Sequence, residues 1–258
     1  MAARDSNAWV ETKTRKRICN LISEGALNEL TRLVLVNAIY LKAPWDEPFS
    51  MSDTKPEPFY VNGSQPADVS MMNQTHELPY AERHGFAAVS LPLSYPLRFL
   101  IFLPARRGGL AQLEKQLTSG MLAGKIQWEK RDVTLSLPRF KLEPPVLSLG
   151  AALRSLGMNT AFDIPPRSAN FDRIAPRRPD DYLAISDAFH KTFLNLDEEG
   201  IEAAAATAIH AFTTGIYEPP KPVETRVDHP FVFAIVTQSS PESSETTCLF
   251  LGHVTDPR

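Results

Sequence analysis

A glycine followed by a run of small side chains, Gly200 to Ala208, sits between a strand-like segment and a proline cluster, and it limits the possible folds more than any other feature. Taken locally, the stretch from Asp197 reads as helix. Asp197 could cap it, Glu198, Glu199 and Glu202 are acids near its start, and Ala203, Ala204, Ala205 and Ala206 are the best helix formers. The flanks argue otherwise. Residues 182–196 read as strand, and beyond the alanines lie Gly215, Pro219, Pro220 and Pro222. Small side chains after a glycine also suit a segment that slips between two strands already formed. There a Cβ is tolerated, and anything larger must displace packed neighbours. Such a segment requires a large sheet elsewhere in the chain.

The rest of the chain supplies strands. Residues 30–41 form an apolar run rich in Val, Leu and Ile, as expected of a strand buried on both faces. Asn62 and Gly63 mark a hairpin turn. Residues 86–93 and 97–103 read as neighbouring strands split at Ser94, Tyr95 and Pro96. Val133, Leu135 and Leu137 alternate as in a half-buried strand, and residues 231–237 and 247–254 close the chain as two more. Helical periodicity predicts helices over 7–23, 110–121 and 146–156, the last stopped by Gly157. Residues 164–181 and 200–225 lack a core pattern, and long loops in compact domains are commonly functional or disordered. The class is α+β, with strand dominating.

Composition excludes several functions. The 258 residues are 43% hydrophobic and 22% charged, an ordinary globular balance. A net charge of -3 points to neither nucleic acid nor an anionic membrane. The basic run of Lys13, Arg15, Lys16 and Arg17 reads as an exposed helix face. No apolar run is long enough to span a membrane. Cys19 and Cys248 make neither a metal site nor a disulfide framework and read as buried or idle thiols. No metal or cofactor is expected. A hydrolase elbow, a metalloprotease His-Glu-x-x-His and a phosphate-binding glycine loop are all missing, and His76, Glu77 and His84 lack the metalloprotease spacing. Asn62 and Asn73 fit the glycosylation acceptor pattern, but a turn and a polar loop explain them equally well.

The stretch from Glu198 to Thr207 resembles the hinge of a serpin reactive loop, and residues 185–196 resemble the strand that leads into it. Further motifs follow in the family's order. Residues 35–49, with Asn37, Tyr40, Trp45 and Phe49, are similar to a central-sheet strand and the turn after it. Met71 and Met72, then residues 137–140, 156–158 and 169–172, and the closing segments from Asp228 to Phe231 and from Leu249 to Pro257 continue the match. It covers residues 7–257 as one domain, with the reactive loop at 200–225. The resemblance implies a multi-sheet fold with a large central mixed sheet, surrounding helices and a long exposed loop. It also implies that the elements of the family's first third are absent here, so that the apolar face of the central strands would lack cover.

The implied activity is inhibition of a serine protease by cleavage of the loop, trapping of the acyl-enzyme and insertion of the loop into the sheet; the alternative is a non-inhibitory protein of the same fold, a substrate, carrier or chaperone, or an inactive fragment. Gly200 is the expected pivot, because glycine takes positive φ without steric cost. With period two, Ile201, Ala203, Ala205 and Thr207 share the inserting face. Ile201 is large for that face, and overpacking a formed core costs about 1–3 kcal/mol. The resemblance makes His190 the residue that fastens the central sheet, with Asn37 as its partner, and puts Trp45 where the loop enters. Hinge spacing from Gly200 puts the scissile bond at Thr214 and Gly215, with Phe212 or Tyr217 as alternative bait. No Arg or Lys lies between Gly200 and Pro220, which favours a chymotrypsin-like or elastase-like target over a trypsin-like one. The partner is the protease, the chain acts as a monomer, and the implied setting is extracellular or periplasmic. The start of the chain has no signal-peptide pattern, which leaves the cytoplasm open.

Overall fold

The computed structural model describes residues 2–122, 126–178, 181–202, 221–238 and 246–258. Helix α1 (Ala2–Lys13) is followed by strands β1 (Leu33–Tyr40), β2 (Ala43–Pro44), β3 (Lys55–Val61), β4 (Gln65–Arg83), β5 (Phe86–Pro92) and β6 (Leu97–Pro104). Helices α2 (Leu110–Gln116) and α3 (Ser119–Leu122) precede β7 (Glu129–Pro138), β8 (Phe140–Leu142) and β9 (Leu147–Ser148). Helix α4 (Gly150–Ser155) leads to β10 (Ile185–Asp197), β11 (Gly200–Ile201), β12 (Val223–Arg226), β13 (Phe231–Gln238) and β14 (Thr246–Val254). The chain divides into two compact units, residues 1–41 with 142–194, and residues 42–141 with 195–258.

In the first unit β1 runs parallel to β10, from Leu33 opposite Ile185 to Tyr40 opposite Phe193. β9 adds to the other side of β10, antiparallel at Phe189 and His190. α1 lies on one face of this sheet. Val10, Ile18, Leu21 and Phe193 form its core, with Val36, Ala38, Tyr40 and Phe189 packed against them. The helix stops at Lys13, short of the predicted end. The hydroxyl of buried Thr14 donates to the Val10 carbonyl at 2.8 Å, Arg15 and Lys16 turn left-handed, and Ile18, Leu21 and Ile22 reach the core from an irregular segment. The helix expected over 146–156 is also shorter. Leu147 and Ser148 are drawn into the sheet by β10, so helix begins only at Gly150. Gly157, at φ +97°, closes it as expected. β1 is the strand predicted, but none of its residues is fully buried.

The second unit holds an eight-stranded sheet in the order β12-β7-β4-β5-β6-β13-β14, with β3 paired to β4. The Asn62–Gly63 turn joins β3 and β4, and both residues have positive φ, the conformation that an Asn-Gly pair accommodates best. β6 and β13 run antiparallel as buried neighbours, from Phe102 opposite Val232 to Leu97 opposite Thr237. One face of the sheet packs Leu113 of α2 against Phe86, Leu100, Phe102, Val232 and Val236. The helix predicted over 110–121 is broken at Leu117, which is extended, so α2 and α3 are separate.

Candidate functional site

The described residues of the expected hinge, 198–202, lie within the second unit. After Asp197 the chain reverses and returns as β11. Gly200 pairs with Asp197 on one side and Pro44 on the other, and Ile201 pairs with Leu196 and Ala43. The first residues beyond the turn are therefore already a strand, antiparallel to both neighbours. Gly200 has a φ of +129°, and a Cβ there would stand 2.5 Å from the Ala43 carbonyl oxygen and 2.6 Å from the Trp45 nitrogen. Conformation and space both demand glycine. Ile201 is 0% exposed, so the side chain that is large for an inserting face is fully accommodated. The sequence places Ala203, Ala205 and Thr207 in phase with it. Residues 203–207 of the hinge, and Phe212, Thr214, Gly215 and Tyr217 with the proposed scissile bond, lie outside the described residues.

The segment from Trp45 to Phe49 forms a strap that holds the turn. The Trp45 backbone N–H donates to the Glu199 carbonyl at 3.0 Å, and the Phe49 N–H donates to the Glu198 carbonyl at 2.9 Å. The Trp45 indole N–H donates to the Asp197 carbonyl at 2.9 Å. Trp45 itself is buried, packed edge-on against Phe49 and Phe99 with ring centroids 5.9 and 5.7 Å away. Successive carbonyls of the turn thus each receive a donor from one short segment, which satisfies its backbone acceptors.

Glu198 is a buried carboxylate. It accepts a 2.7 Å hydrogen bond from the Thr54 hydroxyl and faces the Arg139 guanidinium at 3.5 Å. A buried charge without such partners would cost several kcal/mol, on the order of its desolvation penalty. Asp197 accepts from the Glu199 N–H at 3.0 Å, and burial pushes its carboxyl above the ordinary aspartate value. Thr54, Arg139 and Phe49 are parts of the site that sequence reasoning did not assign. The available signals were the locations of Phe49 and Arg139 inside motifs already noted, residues 35–49 and 137–140.

His190 and Asn37 lie in the first unit, at the same register position of β10 and β1. The Asn37 side chain is exposed. The His190 Nδ1 is buried with no hydrogen-bond partner among the described residues, so the expected bond between the two is not formed. The cysteines are free. Cys19 is partly buried with its thiol on the Lys16 carbonyl, whereas Cys248 is exposed. Asn73 is a structural residue. Its amide donates to Glu57 and it accepts from the Ser136 hydroxyl at 2.6 Å. Among the described residues no group of side chains could hold a metal ion, and no helix is long and apolar enough to cross a membrane.

Comparison with known proteins agrees with this geometry. The family model for serpin (serine protease inhibitor) matches residues 1–257. Serpin B10 of Otolemur garnettii is 35% identical over 98% of this chain and 62% of its own length. Mouse antithrombin-III is 36% identical over 97% of this chain and 52% of its own length. The chain therefore spans less than two thirds of these relatives. Among solved structures, Serpin48 of the insect Tenebrio molitor superposes with a TM-score of 0.81 at 33% identity, covering 99% of this chain and 64% of that one. Human thyroxine-binding globulin in complex with thyroxine also superposes with a TM-score of 0.81, at 27% identity and with the same coverage. The family match, these relatives and the hinge all lead to one assignment: the chain belongs to the serpin family.

Proposed function

We propose that this chain carries the loop-insertion machinery of a serine-protease inhibitor. The observation that supports this most is β11. Gly200 and Ile201 already pair as a strand, antiparallel to the end of β10 and to β2, with Ile201 buried. Insertion of the loop is then extension of a strand already begun, and each added residue gains ladder hydrogen bonds and burial. In the proposed reaction the protease serine attacks the carbonyl of the bait residue, the amine of the next residue leaves, and the acyl-enzyme remains on the loop. From Gly200 to Thr214 an extended strand would span about 46 Å at ~3.3 Å per residue, enough to carry the enzyme across a domain of this size. With no Arg or Lys between Gly200 and Pro220, an elastase-like or chymotrypsin-like protease is the proposed target.

The test is a covalent complex, stable on a denaturing gel, after incubation with elastase-like and chymotrypsin-like proteases. Ala205 is two steps in phase beyond Ala203 and four beyond buried Ile201, so Ala205→Glu puts a carboxylate on the inserting face. Burying it unpaired costs several kcal/mol, on the order of what would stall insertion. The variant is expected to be cleaved without forming complex, and undiminished complex would refute the register. A second reading, a carrier protein, draws on the thyroxine-bound globulin among the structural neighbours. Rapid cleavage of the unmutated chain with no complex at any protease ratio would favour it.

A further inference from the structure

We propose that the C-terminal end of α1 is a docking surface for an anionic lipid membrane, formed by Trp9 with Lys13, Arg15 and Lys16. The surface is independent of the inhibitor reading. The basic run from Lys13 to Arg17 is not the exposed helix face expected of it. The helix ends at Lys13, and Arg15 and Lys16 follow with φ of 51° and 61°. The turn is locked from beneath. Thr14 and Ile18 are buried on either side of it. The Lys16 N–H donates to the Glu11 carbonyl at 2.7 Å, and the Arg17 N–H to the Thr14 carbonyl at 2.9 Å. The cations are thereby gathered at one corner and not spread around a helix. Lys13, Arg15 and Lys16 are exposed and make no ion pair among the described residues. Arg17 is committed elsewhere, with its guanidinium 5.5 Å from the centre of the Phe193 ring.

Two features show that these charges serve a partner. Long cationic side chains are a poor choice for left-handed backbone, which glycine or asparagine occupies at less cost. The helix dipole attracts cations to this end, but Lys13 in the last turn answers it without a left-handed residue. The second feature is Trp9, which is 58% exposed. It lies one turn before Lys13, so the two share a face of α1. An exposed indole beside cations suits a lipid interface, where the ring sits among headgroups and Lys and Arg meet anionic phosphates. Single-stranded nucleic acid would need a groove and successive aromatic platforms, and α1 offers one aromatic on an open helix face. A sulfated polysaccharide would engage the cations without requiring the indole. Acidic residues set the orientation. Asp5 lies one turn before Trp9 on the same face, and Glu11 lies on the other side of the helix, so the C-terminal end tips toward the bilayer. The net charge of -3 belongs to the whole chain, whereas the surface potential of a membrane falls off within a Debye length, where the local cations decide.

The test mixes the whole chain with vesicles of phosphatidylcholine, either alone or with about one third phosphatidylserine, and separates bound protein by flotation. Binding is expected to the anionic vesicles only, and to weaken as salt is raised. Tryptophan emission should shift to the blue on binding. Trp9→Phe should remove the shift, which excludes Trp45 and Trp128 as its source. Joint replacement by Arg15→Asn and Lys16→Gly is expected to weaken binding ~25-fold, roughly fivefold for each charge near an anionic surface. The same variant should melt at an unchanged or higher temperature, because both new residues suit left-handed backbone. Lost binding with kept stability separates a docking role from a structural one. Equal binding to neutral vesicles, full binding by the double variant, or binding without the blue shift would overturn the docking surface. Binding to a sulfated polysaccharide or a single-stranded oligonucleotide, with none to the vesicles, would also overturn it and assign the cations to that polymer.

Discussion

β1 and β13 are both strands of eight residues, rich in aliphatic side chains and similar as strings of letters, yet the protein treats them differently. Every residue of β13 from Phe231 to Val236 is buried. It lies between β6 and β14, Phe233 stacks on Phe99 at 5.4 Å, and Leu113 of α2 packs across its neighbours Val232 and Val236. No residue of β1 reaches that state. Val36, Ala38 and Tyr40 rest under α1 and its following segment, while Leu35 on the opposite face is 41% exposed. An apolar run specifies a strand. Whether the strand becomes core depends on layers that other parts of the chain must supply.

The comparison is sharpened first by truncating matched core residues. Val232 on β13 is buried in the core, and Val232→Ala is expected to cost about 2–3 kcal/mol, the transfer of the removed methyls plus the sealed cavity they leave. Val36→Ala on the half-covered β1 should cost only about 1 kcal/mol, the transfer of the removed methyls without a sealed cavity. Urea midpoints for the two variants check this, and equal losses would show that β1 is as deeply packed as β13.

A smaller, local effect is expected where the two kinds of packing meet the backbone. Gly200→Ala forces a side chain into a positive-φ position against the Ala43 carbonyl, a strain of about 1–3 kcal/mol. The hinge should undock before anything unfolds. Exchange should quicken across residues 198–201 and stay unchanged along β5 and β6, whereas a global loss of protection would mean that β11 supports the whole unit.

The smallest effect concerns Asp197. Burial raises its carboxyl above the ordinary 3.8, so the folded hinge holds the proton more tightly than the unfolded chain. That stabilisation is fully present below 3.8 and is lost as pH rises through the raised folded value. Asp197→Asn should flatten hinge stability across that acidic window. An unchanged profile from pH 3.8 upward would assign the titration to another group.

Much of this was legible in the residues. Asn62 and Gly63 announced their turn because positive φ is costly for other residue types. Gly200 was legible as a position that favours glycine for the same reason, and the strands 86–92 and 97–104 came from mainly apolar runs between turn residues. Helix ends were misread wherever a distant partner intervened. Periodicity carried α1 through residues 14–23, but Arg15 and Lys16 turn left-handed and the Thr14 hydroxyl accepts from the Ile18 N–H, which takes the chain out of the helix. Residues 146–148 had helical spacing, and β10 took Leu147 and Ser148 as a strand because ladder bonds there outweighed one more turn of helix.

The sequence by itself determined several long strands, the Asn62–Gly63 turn, and that a glycine-led run of small residues follows β10. Those properties rest on each residue's own φ preference and on spacing along the chain. Only the tertiary structure decided that Ile201 is fully accommodated, that Trp45 and Phe49 hold the turn by their backbones, and that Glu198 meets Arg139 and Thr54. Each of these joins residues far apart in sequence, and no local pattern carries the distance between them.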